Sequence, residues 1–405
     1  MGKRRQMSKS TLEFASLFSG CGGFDLGFIS KGFRSVGAYD FDKDAVSNFS
    51  ANISSEIVQA DLTKGVPNED AIRNTDVLIA GPPCQGFSTA GKRELNDERN
   101  HLLSLTGEIA QSIKPKVLVV ENVAGALSGN HAKYFKHLEL GLRESGYQTH
   151  MLKIQTSDLG MGQLRKRVLL FAWNTKRNAD FSLKQQESGN LRSALKGISN
   201  TANHNPTLLK ENSKDWLIAQ RIKAGQKLSN VRGGKNSIAT WDIPEVFGSI
   251  SEHEITVLEM LRRLRRRERL RKYGDADPVS LDRLEDALGP KFCALIDGLV
   301  TKGYLRALES GIDLAGTFNG KHRRLSWDRP SCTVDTRFGA PRYFLHPTKH
   351  RGFTVREAAR IQGFPDDYRF LGSEAAQYRV IGNAVPPPLG EYAANISKQL
   401  LGVSS

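Results

Sequence analysis

The sequence predicts an α/β protein, an open and mostly parallel sheet with helices on both faces, carrying a smaller second lobe. Three observations predict it. From Thr11 to about Trp173, short apolar or β-branched runs alternate with turns and amphipathic segments, the pattern of strands and helices taken in turn. After Trp173 that alternation stops, and a polar, then helical and basic, stretch follows. Near the C-terminus an apolar-periodic segment resumes behind a triple proline, which suits a last helix returning to the first sheet.

The predicted strands, in order, are Phe14 to Phe18, Ser35 to Tyr39, Glu56 to Ala60, Val77 to Ala80, Val117 to Val120, Gln148 to Gln155 and Val168 to Ala172. Each is an apolar or β-branched run closed by turn residues. Between them, Asp44 to Asn52, Leu102 to Ile113 and Ala132 to Ser145 carry helical spacing. From Asn174 to about Trp241 the chain is rich in Lys, Asn, Ser and Gly without a sustained period, and reads as loops and short elements. The segment 252–308 is helical and basic, with RRLRRRERLRK from Arg262 to Lys272. Two further helices and a turn into a short strand follow it, an order that suggests a winged-helix-like insertion. In QYRVIGNAVPPPL the prolines cannot continue a helix but can start one, and a final helix of about ten residues is expected.

These signals divide the chain into a basic tail at 1–11, a first domain at 12–178, a second at 179–350 with the helical insertion at about 252–308, a hinge at 351–375 and a returning C-terminal helix at 376–402. With 405 residues, 39% hydrophobic and 25% charged, the chain has the composition of an ordinary globular protein. It contains no apolar run of membrane-spanning length, and the basic start MGKRRQMSKS lacks the apolar segment of a secretory signal. The myristoylation pattern fails at Gln6. A soluble, cytoplasmic protein with no membrane partner is expected. The four cysteines, Cys21, Cys84, Cys293 and Cys332, stand far apart, with no C-x-x-C pair and no neighbouring histidine cluster. Neither a disulfide framework nor a bound metal is expected. Lys plus Arg number 58 against 43 Asp plus Glu, a net charge of +15, which suits either a polyanionic partner such as nucleic acid or a solvated basic surface.

The first strand runs into LFSGCGGFDLGF, where Gly20, Gly22, Gly23 and Gly27 let the backbone turn tightly and approach a ligand at a strand end. The dinucleotide fingerprint G-x-G-x-x-G fails because Asp25 stands at its third glycine. The second strand closes on YDFD, Tyr39 to Asp42, where a carboxylate can bind a ribose diol and Phe41 can stack on adenine. The third ends in ADLT, where Asp61 can accept from an adenine amino group. Turn glycines and strand-end acids are individually commonplace. In this order, on three consecutive strand ends, they describe an adenosine site without a pyrophosphate, and S-adenosyl-L-methionine is the expected cofactor.

The run Val77 to Ala80 leads into GPPCQGFS, which mounts Cys84 between a Pro-Pro corner and a Gln-Gly turn. Alone, that cysteine reads as packing, a metal ligand, half of a disulfide or a nucleophile, though the loop is too polar and turn-rich to be core. A second apolar strand, KPKVLVVENV, ends in Glu121-Asn122 at the same sheet edge, either as a general acid or as a solvent-facing strand end. In GQLRKR, Gln163, Arg165 and Arg167 alternate, so in a strand all three face one way.

PPCQ, ENV, Q-x-R-x-R, the LFSGCGG start and the terminal IGNAVPPP together resemble the motif set of the DNA (cytosine-5) methyltransferases, bacterial type, in that family's usual order. The resemblance covers roughly Thr11 to Trp173 and Arg324 to Ser397. Gly162 is a small departure, standing where a proline often precedes the Gln. The resemblance implies the Rossmann-like methyltransferase fold, with the second domain choosing the DNA target. It implies Cys84, Glu121, Arg165 and Arg167 as catalytic residues. It implies a cofactor site of Phe18, Gly20, Gly22, Gly23, Asp40, Phe41, Asp61, Leu62, Pro82, Leu102, Asn383 and Val385. Double-stranded DNA is the implied partner, a cognate restriction endonuclease a second candidate, and a monomer the expected state.

The chemistry asks for these residue types. Carbon 5 of cytosine is too weakly nucleophilic in the intact ring, and a nucleophile added at carbon 6 makes it enamine-like. A thiolate attacks readily yet can leave again. A free thiol at a pKa of ~8.5 is mostly protonated at neutral pH, so a nearby Arg165 or Arg167 favours the thiolate. Charge developing at ring nitrogen 3 needs an acid, the role implied for Glu121, with Arg167 orienting it. The cytosine must also leave the duplex, at a cost of roughly a few kcal/mol. The loop 89–100, TAGKRELNDERN, is expected to close over the displaced base. Rival readings are a tRNA-cytosine methyltransferase of the same family, a catalytically silent DNA-binding protein of the same fold, and a cysteine hydrolase. The last lacks a local histidine to activate Cys84.

Overall fold

The computed structural model describes residues 11–83, 101–129, 132–183, 186–199, 201–269, 277–316, 318 and 320–403. The chain forms two compact units, one of Met1–His204, Asp328–Arg337 and Thr354–Ser405, the other of Asn205–Trp327 and Phe338–Phe353. In chain order the elements are β1 (Glu13–Leu17), α1 (Gly23–Ser30), β2 (Arg34–Asp40), α2 (Lys43–Asn52), β3 (Ile57–Gln59), β4 (Val77–Ala80), α3 (His101–Ile113), β5 (Val117–Val123), α4 (Ala132–Glu144), β6 (Gln148–Gln155), β7 (Gln163–Leu164), β8 (Lys166–Trp173) and the single turn α5 (Leu191–Ala194). There follow α6 (Lys214–Arg221), β9 (Lys227–Leu228), β10 (Ser237–Ile238), α7 (Pro244–Phe247), α8 (Glu252–Arg267), α9 (Leu281–Leu288), α10 (Pro290–Cys293), α11 (Ile296–Thr301), β11 (Leu305–Leu308), β12 (Gly311–Leu314) and β13 (Arg323–Arg324). The chain closes with β14 (Ser331–Cys332), β15 (Phe344–Leu345), α12 (Val355–Gln362), α13 (Glu374–Asn383) and α14 (Pro387–Leu400).

The first unit is built on a seven-stranded sheet in the order β3-β2-β1-β4-β5-β8-β6. The pairs from β3 through β5 are parallel, and β8 runs antiparallel to both its neighbours. The expected mostly parallel α/β sheet is thus present. Its central strands β4 and β5 are apolar runs because helices cover both faces. One face packs against α3 and α4 through Leu103, Ala110, Phe135 and Leu138. The other packs against α1 and α14 through Phe24, Phe28, Leu389, Ala393 and Ile396. Helix α14 starts at the triple proline, with Pro386 as N-cap and Pro387 in the first turn. It runs fourteen residues where about ten were expected, because its apolar stripe continues to the buried Leu400.

The second unit contains α8, whose start is a capping box between Ser251 and Glu254. Its Val257, Leu258, Leu261 and Leu264 enter a core with Leu284, Leu299, Leu305 and Leu314. Strands β11 and β12 form an antiparallel hairpin, and Val279, between α8 and α9, bridges to Ile312. Helix, bridging residue, two helices separated by the single turn α10, and hairpin resemble the winged-helix order.

Candidate active site

Four parallel neighbours, β3, β2, β1 and β4, end side by side, and their carboxyl ends carry the residues singled out for the cofactor. After β1 the backbone turns through positive φ at Phe18 (52°), Gly20 (57°) and Gly22 (81°), an arrangement that a Gly-rich segment tolerates. A side chain has no room at the helix start: a Cβ on Gly23 would lie 2.2 Å from the Val385 carbonyl oxygen. Nothing lies within 4 Å of the Cβ position of Gly20, so that side of the turn is open. The Gly20 amide donates to Asp40 at 2.7 Å and the Asp42 amide to its other oxygen at 2.8 Å. The acid at the end of β2 therefore fixes the glycine turn. Burial pushes its pKa up to about 6, against the Gly20 and Phe41 amides, which lower it.

Next to it the Phe41 side chain is 72% exposed, a large apolar surface left bare beside the open turn. Asp61 takes the amide of Thr63 at 3.1 Å and its hydroxyl at 2.6 Å through one oxygen, while Leu62 is buried. Pro82 is buried after β4, and Leu102 lies half-buried in the first turn of α3. At the end of α13, Asn383 is exposed and Val385 is buried. An open glycine turn, a strand-end carboxylate, a bare aromatic ring and a second carboxylate on adjacent strand ends fit an adenosine-bearing cofactor.

Sequence reasoning missed Asp25 and Tyr368 here, whose burial no local pattern signals. The Asp25 carboxyl, fully buried under the turn, accepts from Ser16 at 3.2 Å and has its pKa pushed up to about 7 by burial. The Tyr368 hydroxyl donates to the Cys21 carbonyl at 2.6 Å. Cys21 itself is buried, its thiol pushed up to about 12 by desolvation. It is inert packing.

Of the residues expected to be catalytic, Glu121 lies on β5, Arg167 on β8 and Arg165 between β7 and β8. Cys84 and the loop 89–100 lie outside the described residues. The backbone just before that cysteine is held by the Asn122 side chain, whose Nδ2 donates to the Pro82 carbonyl at 3.4 Å. Glu121, opposite Leu169 in the β5/β8 ladder, stands diagonal to Arg167, opposite Val123; long side chains bridge that separation on one face. Their charges meet, Arg167 Nε to Glu121 Oε1 at 2.7 Å, with both side chains about 10% exposed (10% and 9%). Glu121 is thus no solvent-facing strand end.

Gln163, Arg165 and Arg167 are buried and alternate with the exposed Leu164 and Lys166, so the three do share one face. Arg165 donates to the carbonyls of Val334 (3.0 Å), Gly382 (3.2 Å) and Ala384 (3.0 Å). Gln163 donates to Gln362 at 2.9 Å and accepts from the Val334 amide at 2.8 Å. Gln362 in turn donates to the Ala384 carbonyl at 2.8 Å. These bonds seat the 382–385 backbone, and with it Asn383 and Val385, beside the glycine turn. Gly162, the departure from the family pattern, is explained by space: a Cβ there would lie 2.6 Å from the Asn190 carbonyl oxygen.

No group of three or more candidate metal ligands occurs among the described residues, and no helix among them is long and apolar enough to cross a membrane. The family model of the C-5 cytosine-specific DNA methylases matches residues 12–399. Type II methyltransferase M.NgoFVII of Neisseria gonorrhoeae is 29% identical over 401 residues, covering 98% of this chain and 88% of its own. Type II methyltransferase M.AgeI of Thalassovita gelatinovora is 29% identical over 428 residues, covering 94% and 98%. Among solved structures, a prophage-encoded E. coli chain assigned as a DNA modification methyltransferase superposes with a TM-score of 0.60 at 21% identity, covering 97% and 100%. S. pombe Dnmt2 methyltransferase gives 0.54 at 14%, covering 96% and 99%. At these identities the structural likeness shows a shared fold.

Proposed function

The chain belongs to the C-5 cytosine-specific DNA methylase family, and on that footing we propose that it works on a cytosine swung out of a specific double-stranded DNA sequence, through a covalent bond from Cys84 to carbon 6. The enzyme is an S-adenosylmethionine-dependent methyltransferase of carbon 5 of cytosine in DNA. In our reading the cofactor is held by Phe18, Gly20, Gly22, Gly23, Asp40, Phe41, Asp61, Leu62, Pro82, Leu102, Asn383 and Val385. When bound, it supplies an electrophilic methyl group.

The observation that carries the reading is the buried Glu121–Arg167 ion pair, on the strand beside the Pro82-Pro83 corner. Taking two charges out of water is costly even when they meet, so a buried pair at a strand end is a candidate for chemical work. Here that work is to share a proton with ring nitrogen 3 while Arg167 holds the carboxylate in place. The Cys84 thiolate adds its sulfur to carbon 6, and the ring electrons move toward carbon 5 and nitrogen 3. Arg165 and Arg167 supply the positive charge that favours the thiolate. After methylation a base removes the carbon 5 proton, the electrons return, and the carbon–sulfur bond breaks. The Type II relatives support a role in protecting a short host sequence beside a cognate endonuclease.

Cys84→Ala is expected to abolish methyl transfer while calorimetric binding of S-adenosylmethionine persists. DNA carrying 5-fluorocytosine, whose fluorine cannot leave as a proton does, is expected to trap the wild-type chain as a species stable on a denaturing gel. Transfer by the alanine variant overturns the covalent reading. Bisulfite sequencing of DNA from expressing cells reads out the target sequence.

A further inference from the structure

The second unit contains a cleft of about 680 Å³ lined by Val231, Gly233, Gly234, Glu259 and the α8 residues Arg262, Arg263, Arg266 and Arg267. Its charge is one-sided. Arg262 forms the floor: it pairs with Glu259, lies 5.6 Å over the Trp241 ring and is 14% exposed. Arg263, Arg266 and Arg267 are exposed and have no ion pair among the described residues. Glu268, the next acid along the helix, is taken by Arg283.

The opposite wall is the turn Arg232-Gly233-Gly234-Lys235 between β9 and β10, exposed along its length. A Cβ on Gly233 would lie 2.5 Å from Arg262 Nη2, and Gly234 has φ +98°. The two glycines keep the wall low and its backbone bare, with a cation on each side. Nearby, Lys227 is held below the usual lysine pKa, first by burial and then by the charges of Arg323 and Arg232, so the positive potential reaches past the rim.

The rest of the winged-helix module does not match this face. Helix α9 exposes Asp282, Glu285 and Asp286, and α11 exposes Asp297 and Thr301. Lys302, just after α11, is paired with Glu254. In helix-turn-helix proteins a later helix of the module enters the groove; here α9 and α11 present acids, the single turn α10 presents Lys291 as its one charge, and the first helix presents arginines. From Arg262 to Arg267 the helix rises about 7.5 Å, comparable with the separation of two adjacent phosphates along one DNA strand.

We propose that this cleft between α8 and the Gly233-Gly234 turn holds consecutive backbone phosphates of the DNA substrate, so that the inserted module grips the duplex by its first helix and independently of base sequence. The proposal rests on double-stranded DNA being the substrate. Guanidinium groups donate paired hydrogen bonds to phosphate oxygens, and such contacts position a duplex without reading it.

The test is the full-length chain with Arg263, Arg266 and Arg267 all changed to Ala, compared with the same three changed to Lys. Binding to cognate and unrelated duplexes is followed by fluorescence anisotropy across a salt series. Each lost phosphate contact lowers the slope of log K against log salt by about 0.9. A drop of about 2 is expected for the alanine variant on both duplexes, with most of the slope kept by the lysine variant. The turnover number at saturating DNA is expected to stay at the wild-type value. An unchanged slope in a folded alanine variant, or a loss confined to the cognate duplex, overturns the cleft as a phosphate site while wild-type methylation still stands. A wild-type chain that methylates no DNA overturns the reading beneath it.

Discussion

Arg167→Ala probes the buried pair directly. The Arg167 and Glu121 side chains are 10% and 9% exposed and meet at 2.7 Å, so deleting the cation leaves a carboxylate with little water around it. Breaking such a pair from one side costs about 3–5 kcal/mol. At roughly 2–4 °C per kcal/mol for a domain of this size, the unfolding midpoint falls by about 10 °C. Glu121→Gln removes the charge that would be stranded, so adding Arg167→Ala to it costs much less than in the wild type. The cycle of two single variants and the double variant, followed by differential scanning calorimetry, is expected to show a coupling of about 2 kcal/mol or more. Catalysis gives the second readout: Glu121→Gln is expected to slow methyl transfer at least about hundredfold, as loss of a general acid does, with its fold intact. Strictly additive stabilities would refute the pair as a buried charge interaction, and a near-normal rate for Glu121→Gln would remove the acid from the chemistry.

Phe41→Ala is expected to weaken S-adenosylmethionine binding about thirtyfold, the middle of the range of roughly 1–3 kcal/mol for base–aromatic stacking, with little change in melting temperature because the residue is 72% exposed; an unchanged dissociation constant by calorimetry would end its assignment to adenine. Asp25 has a folded pKa pushed up to about 7 by burial, above its unfolded value, so the folded chain binds the proton more tightly and stability falls as pH rises from about 4 to about 7. Asp40, raised to about 6 by burial, acts in the same direction. Asp25→Asn is therefore expected to flatten the decline of melting temperature between pH 5 and 8 and to gain most on the wild type at pH 8. Parallel curves for the two proteins would show that Asp25 does not titrate in this range.

Local pattern carried much of the fold. The boundaries of β4 and β6 coincide with those read from the sequence, since an apolar run flanked by turn residues needs no distant partner to be recognised. The shared face of Gln163, Arg165 and Arg167 was legible for the same reason, because the strand period of two is a property of the backbone. The grouping of acids, aromatic and glycines on neighbouring strand ends was legible too, since a parallel sheet places consecutive strand ends on one edge.

Other features depend on chain segments far apart in sequence, and no local period records them. Arg165 reaches carbonyls at Val334, Gly382 and Ala384. Its place in the site follows from the chain leaving for the second unit and coming back. The same return places α12 and its fully buried Arg356 in the first unit. Asp25 read from the sequence only as the residue that breaks the dinucleotide fingerprint, and packing from several directions is what buries it and pushes its pKa up to about 7. The run of arginines in α8 was visible as composition. Which of them point outward, which is buried against Asp313, and that α9 is acidic on its exposed face, follow from burial, which is set by the whole folded unit and not by any residue's neighbours in the chain.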